Sequence, residues 1–489
     1  MKKFLFLKKD FTGIVSTIAA ACLLLSGFGS CTVLKGPYTF LPQITSQGYS
    51  LPVTDSSNWV NWNIIFSPGA NDETKTRQIQ DVEKYISGYL ALYGFTASFT
   101  PTYCPCDSTL FNLSAKPLLG SGQSYSSPPP PPPPPGASGD NFPYTTSLNN
   151  SVNIDMPVIT ADDPNNTNPY TNMVISGAKF AIHNTTVSDS IILAIMDTGL
   201  DPGYFDNNLG KLIWKDSHRQ TMRNFFAFNA GFSAEYMMDD HPGKHGTAVT
   251  MLALQAMESV PVYPKIMVLK VLDKNEKGTT FNVGCALSYA IQNKATIVNA
   301  SLGYDDNTGI PDPVLLRYLS LCNTTRGTDS IFVFAAAGNL PQPHNPNKLC
   351  GIVTTPANQL ISGASGVHLF YPACLNDNLA NVISVTGLQN MNASCVYQHY
   401  SAKYVSLGVL NSATSQPCCG YNLPAIGLFY EGTSFATPVA SGRVMGHLLS
   451  TAAQARSVRQ SINAITNTSA TLITVTKNGR FMGSTTNMQ

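Results

Sequence analysis

Charge is what this chain has least of. Only 12% of its 489 residues are Asp, Glu, Lys or Arg, and the formal net charge is +1. A balance so near zero leaves no electrostatic case for nucleic acid or an anionic membrane surface as partner. A disordered acidic or basic protein is excluded too, because 43% of residues are hydrophobic, enough for a large core. Also missing is any Cys/His cluster with zinc-site spacing: the 11 cysteines are scattered, and "CPC" at Cys104 to Cys106 has no partner pair nearby. Beyond the N-terminus no segment is long and apolar enough to cross a bilayer.

What is present begins at the N-terminus. "MKKFLFLKKD" supplies four lysines, and "FTGIVSTIAAACLLLSGFG" follows as an apolar run. These are the n-region and h-region of a secretory signal. Gly29, Ser30 and Cys31 then resemble a bacterial lipoprotein cleavage site, whose cysteine thiol is lipidated. Lipidation at Cys31, with a lipid anchor to the membrane, stays open beside ordinary cleavage and an uncleaved anchor. An exported protein is expected, held in the cell envelope or secreted, with residues 1–31 outside the fold. Excluding Cys22 and Cys31 leaves an odd number of cysteines. Export permits disulfides, but their pairing is not readable from sequence.

Residues 59–115 read as a small α+β unit. "WVNWNIIF" is strand-like, "ETKTRQIQDVEKYISGYLALYG" is an amphipathic helix ending at Gly94, and "FTASFTPTYCPCDSTLFNLSA" holds one or two strands. Residues 116–160 read as a linker around the unbroken prolines Pro128 to Pro135. Such a run forms polyproline II, about 3.1 Å per residue, and acts as a stiff spacer. Residues 161–455 read as one large domain. "SIILAIM", "KIMVLKVL", "TIVNASL", "IFVFAAA" and "VISVTGL" are nearly continuous apolar runs, as in strands buried on both faces. Between two of them, "FNVGCALSYAIQNK" puts Val283, Leu287, Ala290 and Ile291 on one helical face. The alternation predicts an α/β fold, a doubly wound, mostly parallel sheet with helices on both faces and its site at the strands' carboxyl ends. Residues 456–489 form a tail with a hairpin signal at Asn478-Gly479.

Three short motifs carry chemistry. "AIMDTG" puts Asp197 where an apolar strand stops, and "GKHGTAV" puts His245 at a helix start. "EGTSFATP" puts Ser434 at another. Singly the first two are weak: Asp-Thr-Gly is a common turn, and most histidines are structural. Asp-Thr-Gly also occurs in aspartic proteases, but those need two carboxylates sharing a proton, and no second copy is present.

Together, and in this order, the motifs resemble the subtilisin-like serine proteases, the subtilases (peptidase S8) of bacterial exported type. The resemblance covers roughly residues 190–453. It implies that Ser434 is the nucleophile, His245 its base and Asp197 the orienting carboxylate. It implies an oxyanion donor at Asn339, which ends "FVFAAAGN", and a cleft wall at Ser301, Leu302 and Gly303 of "NASLG". Ala337 and Gly338 join these as substrate-binding positions. The substrate would be a polypeptide bound in extended form. The chemistry needs no cofactor. Many subtilases hold structural calcium, and Asp206 resembles a ligand position, but no compact carboxylate loop names a metal site. Thr250, Met251 and Lys244 depart from the family pattern around His245. Residues 340–370 resemble an inserted loop, with a Cys350–Cys374 link among the allowed pairings. The small unit resembles the family's propeptide, an internal partner; an unrelated accessory domain is the other reading. The expected function is an exported serine endopeptidase made as a precursor. A catalytically silent binding protein on the same fold and an aspartic protease using Asp197 are the alternatives.

Overall fold

The computed structural model describes residues 60–66, 70–91, 96–118, 144–148, 151–152, 179–183, 186–216, 222–225, 238–257, 260–306, 309, 311–324, 330–339, 369–390, 393–395, 398–411, 420–423, 428–450 and 457–483. The signal segment, Cys31, Gly94 and the proline run lie outside them.

The small unit is built from β1 (Val60–Phe66), α1 (Asp72–Ala91), β2 (Thr96–Cys104), β3 (Asp107–Leu118) and β4 (Tyr144–Leu148). Its sheet runs β2-β3-β1-β4, with every pairing antiparallel. Period-two alternation gives this sheet two apolar faces. Ile64, Phe66, Phe111, Leu113 and Ala115 point to Ile79, Val82 and Ile86 of α1. Ile65 and Leu110 point the other way, into the core of the large domain.

The linker reading is corrected here. β3 continues to Leu118, and Tyr144–Leu148 returns to pair with β1. β3 and β4 flank β1 and so run parallel, which requires a crossover connection of a dozen residues or more. The proline-rich stretch therefore joins two strands of one sheet and does not separate the small unit from the large domain. Composition marked it as stiff but not where its ends return.

The large domain is a 10-stranded sheet, parallel through its centre. Its strands are β5 (Val187–Asp197), β6 (Met222–Asn224), β7 (Tyr263–Lys270), β8 (Ile297–Ala300), β9 (Phe332–Ala336), β10 (Val382–Asn390), β11 (Leu407–Leu410) and β12 (Arg480–Met482), with Asn467–Thr468 at one edge and Ala393–Ser394 beside β10. The order β12-β11-β10-β9-β8-β5-β7-β6 reverses direction at β5. Helices α2 (His245–Gln255) and α5 (Thr433–Ser450) pack on one face, α3 (Thr280–Gln292) and α4 (Pro313–Thr324) on the other. The apolar runs of the sequence are these central strands, buried because both faces are covered. The doubly wound α/β expectation matches this architecture.

The tail is also corrected. Asn478 and Gly479 do turn the chain, at φ 61° and 65°. However, the strand after them joins the main sheet beside β11, and its antiparallel partner is Asn467–Thr468. Thr471 to Thr476 form no strand, since Ala470–Leu472 is a 3-10 turn capped by Ser469. The domain therefore runs on through Met482, with α6 (Val458–Ile465) burying Val458 and Ile462 in the same core. Among the described residues no helix is long and apolar enough to cross a membrane.

Helix α5 approaches α2 so closely that a Cβ on Gly442 would run into the Ala253 carbonyl oxygen. Gly442→Ala is expected to destabilise the protein by about 1–3 kcal/mol through overpacking. Gly88, exposed in α1, has open space around its missing Cβ. Gly88→Ala should instead stabilise by roughly 0.5–1 kcal/mol. Urea unfolding of both variants on a Ser434→Ala background checks the opposite signs.

Candidate active site

β5 ends at Asp197 on the carboxyl side of the sheet, and its carboxylate is fully buried. A buried carboxylate must be hydrogen-bonded. Asp197 Oδ1 accepts from the Thr198 backbone N–H (2.7 Å) and pairs with His245 Nδ1 at 2.7 Å. His245 is also fully buried, at the first position of α2, with Lys244 before it in the left-handed conformation at φ 50°. The next residue is Gly246, where a Cβ would collide with the Gly199 carbonyl oxygen; this is why Gly follows the histidine. The Phe435 ring stacks against the imidazole, centroids 4.9 Å apart.

Ser434 occupies the second position of α5. Its hydroxyl donates to the Ser301 carbonyl (3.2 Å), and the Ser301 hydroxyl donates back to the Ser434 carbonyl (2.7 Å). The second bond has a local cause. Pro438 lies four residues after Ser434 and has no N–H, so the Ser434 carbonyl has no helical donor. Ser301 replaces it, and Asn299 Nδ2 holds Ser301 Oγ in turn (2.9 Å). Asn339 Oδ1 accepts the Thr433 N–H (3.0 Å), and Gly338, at φ 93°, donates its N–H to Thr433 Oγ1 (3.1 Å). Thus Asn339, Gly338, Ser301 and Ser434 converge on the start of α5. Leu302 is buried. Gly303 packs where a Cβ would strike the Phe370 ring, and Ala337 offers its carbonyl to His399 Nδ1 at 3.2 Å. His245 Nε2 is buried with no hydrogen-bond partner, while the Ser434 hydroxyl is turned to Ser301.

Sequence reasoning missed the groups behind the pair. Asp239 is fully buried and accepts from Thr247 N–H (2.9 Å), Thr247 Oγ1 (2.7 Å) and Thr198 Oγ1 (2.9 Å). Thr198 Oγ1 lies 3.2 Å from Asp197 Oδ1, so one hydroxyl sits between two buried carboxylates. Burial, the largest cause, raises the Asp239 pKa against its hydrogen bonds. His241 Nε2 meets Glu276 Oε1 at 2.6 Å, and Lys270 Nζ donates to the Thr198 carbonyl (2.5 Å). The signal was the run "DDHPGKHGT", whose carboxylates stand just before the His-Gly-Thr motif. Lys244 turns from the imidazole to Asp201 Oδ2 (3.1 Å) and the Asp239 carbonyl (2.6 Å). Thr250 and Met251 are accommodated in the core, with Thr250 Oγ1 bonded to the Gly246 carbonyl (2.8 Å).

Burial by itself would lower the His245 pKa. The Asp197 charge and hydrogen bond override it, with Glu276 and Asp239 adding to them, and the net shift is upward. Glu431, three residues before Ser434, is buried, and desolvation pushes its pKa up to about 8. Its signal was a lone charge in "YEGTSFATP".

Asp206, the expected calcium-ligand position, is half-buried and caps the local backbone. Its Oδ2 accepts the Ile182 N–H (2.9 Å) and its Oδ1 the Asn208 N–H (2.9 Å). Among the described residues no group of three or more His, Cys, Asp or Glu is placed to hold a metal ion. Cys374 is a free buried thiol, pushed by burial up to about 12; Cys350, its expected partner, lies outside the described residues.

The family model described as Subtilase family matches residues 188–486. Among curated relatives, Subtilisin-like protease 1 of Plasmodium falciparum, in isolates 3D7 and NF54, is 24% identical over 269 residues. That alignment covers 50% of this chain and 35% of the relative, so the chain spans about a third of the length of the curated relatives it matches. Among solved structures, a cold adapted subtilisin-like serine proteinase shares 16% identity at a TM-score of 0.40, covering 62% of this chain and 91% of that one. Prenylagaramide maturation protease PagA shares 19% at a TM-score of 0.36, covering 57% and 82%.

Two pH measurements test this electrostatic arrangement. In the reading proposed below His245 is the base and must be neutral, so kcat/KM should fall as pH drops through a midpoint above the ordinary imidazole value of 6.5. Asp197→Asn should move that midpoint down and lower kcat by roughly 10⁴. Glu431 binds its proton more tightly folded than unfolded, so it costs stability as pH rises from 4.5 towards about 8. Glu431→Gln removes that cost, and its stability advantage over the parent should grow over this window by an order of a few kcal/mol in pH-dependent urea unfolding.

Proposed function

Because the chain belongs to the subtilase family, we propose that it is a serine endopeptidase working through Asp197, His245 and Ser434. The observation that carries the reading is the buried 2.7 Å bond between Asp197 and His245, at the sheet's carboxyl edge. A serine hydroxyl is a poor nucleophile at neutral pH and needs a base. Ser434 Oγ turns from the Ser301 carbonyl to His245 Nε2, gives up its proton and attacks the scissile carbonyl carbon. His245 passes that proton to the leaving amine, while Asp197 holds the imidazole tautomer and balances its positive charge. The oxyanion receives the Asn339 side-chain amide and the Ser434 N–H, which belongs to a first helical turn where N–H groups have no helical acceptor.

The substrate is an extended polypeptide. Ser151–Val152 pairs antiparallel with Gly278–Thr279, so that edge accepts a strand. Glu276, two residues before Gly278, meets His241 Nε2 at 2.6 Å, and the His241 ring centroid lies 6.4 Å from that of His245, which supports an edge beside the site. In this reading the small unit is a propeptide, and Ser151–Val152 is its tail entering the cleft. The cut that matures the precursor then falls within residues 153–178. The lysine-rich start and apolar run point to export, with Cys31 lipidated or the chain secreted.

A serine-directed phosphonate should label the wild type and leave Ser434→Ala unlabelled. Folded wild type that neither labels nor hydrolyses casein would instead identify a silent binding protein. Asn339→Ala should lower kcat by about 10²–10³. N-terminal sequencing should place the mature start within residues 154–179, with Ser434→Ala left uncut.

A further inference from the structure

Beside the start of α5, one aromatic ring stands where a side chain of the substrate would go. Strands β8 and β9 are parallel neighbours, and each runs on past its carboxyl end as a segment that grips the start of α5. From β8 comes Ser301 to Gly303, tied to Ser434 by the two Ser301 bonds of 3.2 and 2.7 Å. From β9 comes Ala337 to Asn339, tied to Thr433 by the Gly338 and Asn339 bonds of 3.1 and 3.0 Å. In acyl transfer the leaving amine lies on the side of the imidazole that protonates it, so the acyl half of the peptide lies on the other side. Its last residue therefore directs its side chain between these two segments. Phe370 is already there. The strand Leu369–Tyr371 pairs antiparallel with Tyr304–Asp306, with Phe370 opposite Asp305. Side chains alternate faces along a strand, so Gly303, two residues before Asp305, lies on the face of Phe370 as its diagonal neighbour. A Cβ on Gly303 would strike the ring at Phe370 Cε1 and Cζ, and one on Gly338 would sit 2.7 Å from Phe370 Cγ. The ring thus touches both walls, and it is only 2% exposed. The wall behind Gly338 is held in place. The His399 N–H donates to the Gly338 carbonyl (2.9 Å), and the His399 carbonyl accepts from Thr386 Oγ1 on β10 (2.7 Å). Asn339 is bridged to Gln398, whose Oε1 accepts the Gly387 N–H (2.8 Å).

We propose that Phe370 closes the recess for the side chain of the residue before the scissile bond, so that this chain cuts after glycine, alanine or serine and rejects leucine, phenylalanine and lysine there. The proposal deepens the serine endopeptidase reading above and rests on it. The room left by two missing side chains, at Gly303 and Gly338, is taken by the ring. A substrate side chain longer than a methyl or hydroxymethyl group meets ring carbons instead of open space. To enter, it must push the ring into close-packed surroundings that have no slack to receive it. Phe370 touches none of the reacting groups, so it acts on which residue is accepted and not on the attack itself.

The test uses the full chain and three serine-directed probes. One is a small alkyl fluorophosphonate; the other two are peptidyl diphenyl phosphonates that differ only in carrying alanine or phenylalanine at the reacting residue. The alanine probe should label wild type roughly 100-fold faster than the phenylalanine probe, the scale on which a pocket rejects excess apolar bulk. A peptide-library digest by wild type should rank small residues first at the same position. Phe370→Ala should raise kcat/KM for leucine and phenylalanine substrates by about tenfold or more and leave alanine substrates nearly unchanged. Phe370→Leu, which keeps more of the buried apolar volume, should show a smaller gain in the same direction. The wild-type probe ratio stands by itself if either variant fails to fold. Equal labelling of wild type by the alanine and phenylalanine probes would overturn the proposal, as would a library profile led by large residues. The fluorophosphonate separates that outcome from a failure of the underlying reading, because it carries no residue side chain. Folded wild type that it does not label is no serine enzyme, and both readings then fall together.

Discussion

The arrangement of the whole site follows from burying one carboxylate. Asp197 is out of water at the end of β5, so its charge must be answered by donors placed within the fold, and these gather on Oδ1 while Oδ2 is buried without one. The Thr198 N–H and His245 Nδ1–H answer Oδ1 at 2.7 Å each. To bring His245 that close, α2 must start directly against the β5 turn, which only Gly at 246 allows. The Thr198 hydroxyl then accepts the Gly246 N–H at 2.9 Å and donates towards Asp239, whose second oxygen holds Thr247. Strand end, helix start and the second carboxylate are therefore one hydrogen-bonded unit. It sets the imidazole plane before any substrate arrives.

The Ser434 side of the site is organised by a missing donor. Pro438 leaves the Ser434 carbonyl without a helical partner, and the Ser301 hydroxyl supplies one. That bond welds the cleft wall to the start of α5, so the segment that would hold the peptide and the residue that would attack it move together. The same economy shapes the small unit. Its sheet alternates side chains with period two, one face closing on α1 and the other on α3 and α4. A unit with one face finished by another domain is stable when docked and weakened when released.

Much of this was legible in the residues. The central strands, the helices α1 and α3, and the carboxyl-edge position of the site follow from apolar runs and from period. The motifs around Asp197, His245 and Ser434 carry short-range constraints, small residues and caps, that survive in linear form. Other features have no local signature. Tyr144–Leu148 pairs with a strand some eighty positions earlier in the chain (Tyr144 against Phe66), across a stretch whose composition suggested a spacer. Likewise Arg480–Met482 pairs with Gly408 and Val409, not with the residues just before its turn.

Sequence by itself determined which groups are candidates to act, because the proposed triad, amide donor and cleft wall are choices of side chain. It also determined the parallel α/β class, because two-sided burial must be written as continuous apolar runs. Tertiary structure decided what surrounds those groups. Asp239 behind Asp197, Glu431 raised to about 8 and Cys374 standing free all depend on which distant segments share one low-dielectric space. Desolvation is a property of that space, and no linear pattern encodes it.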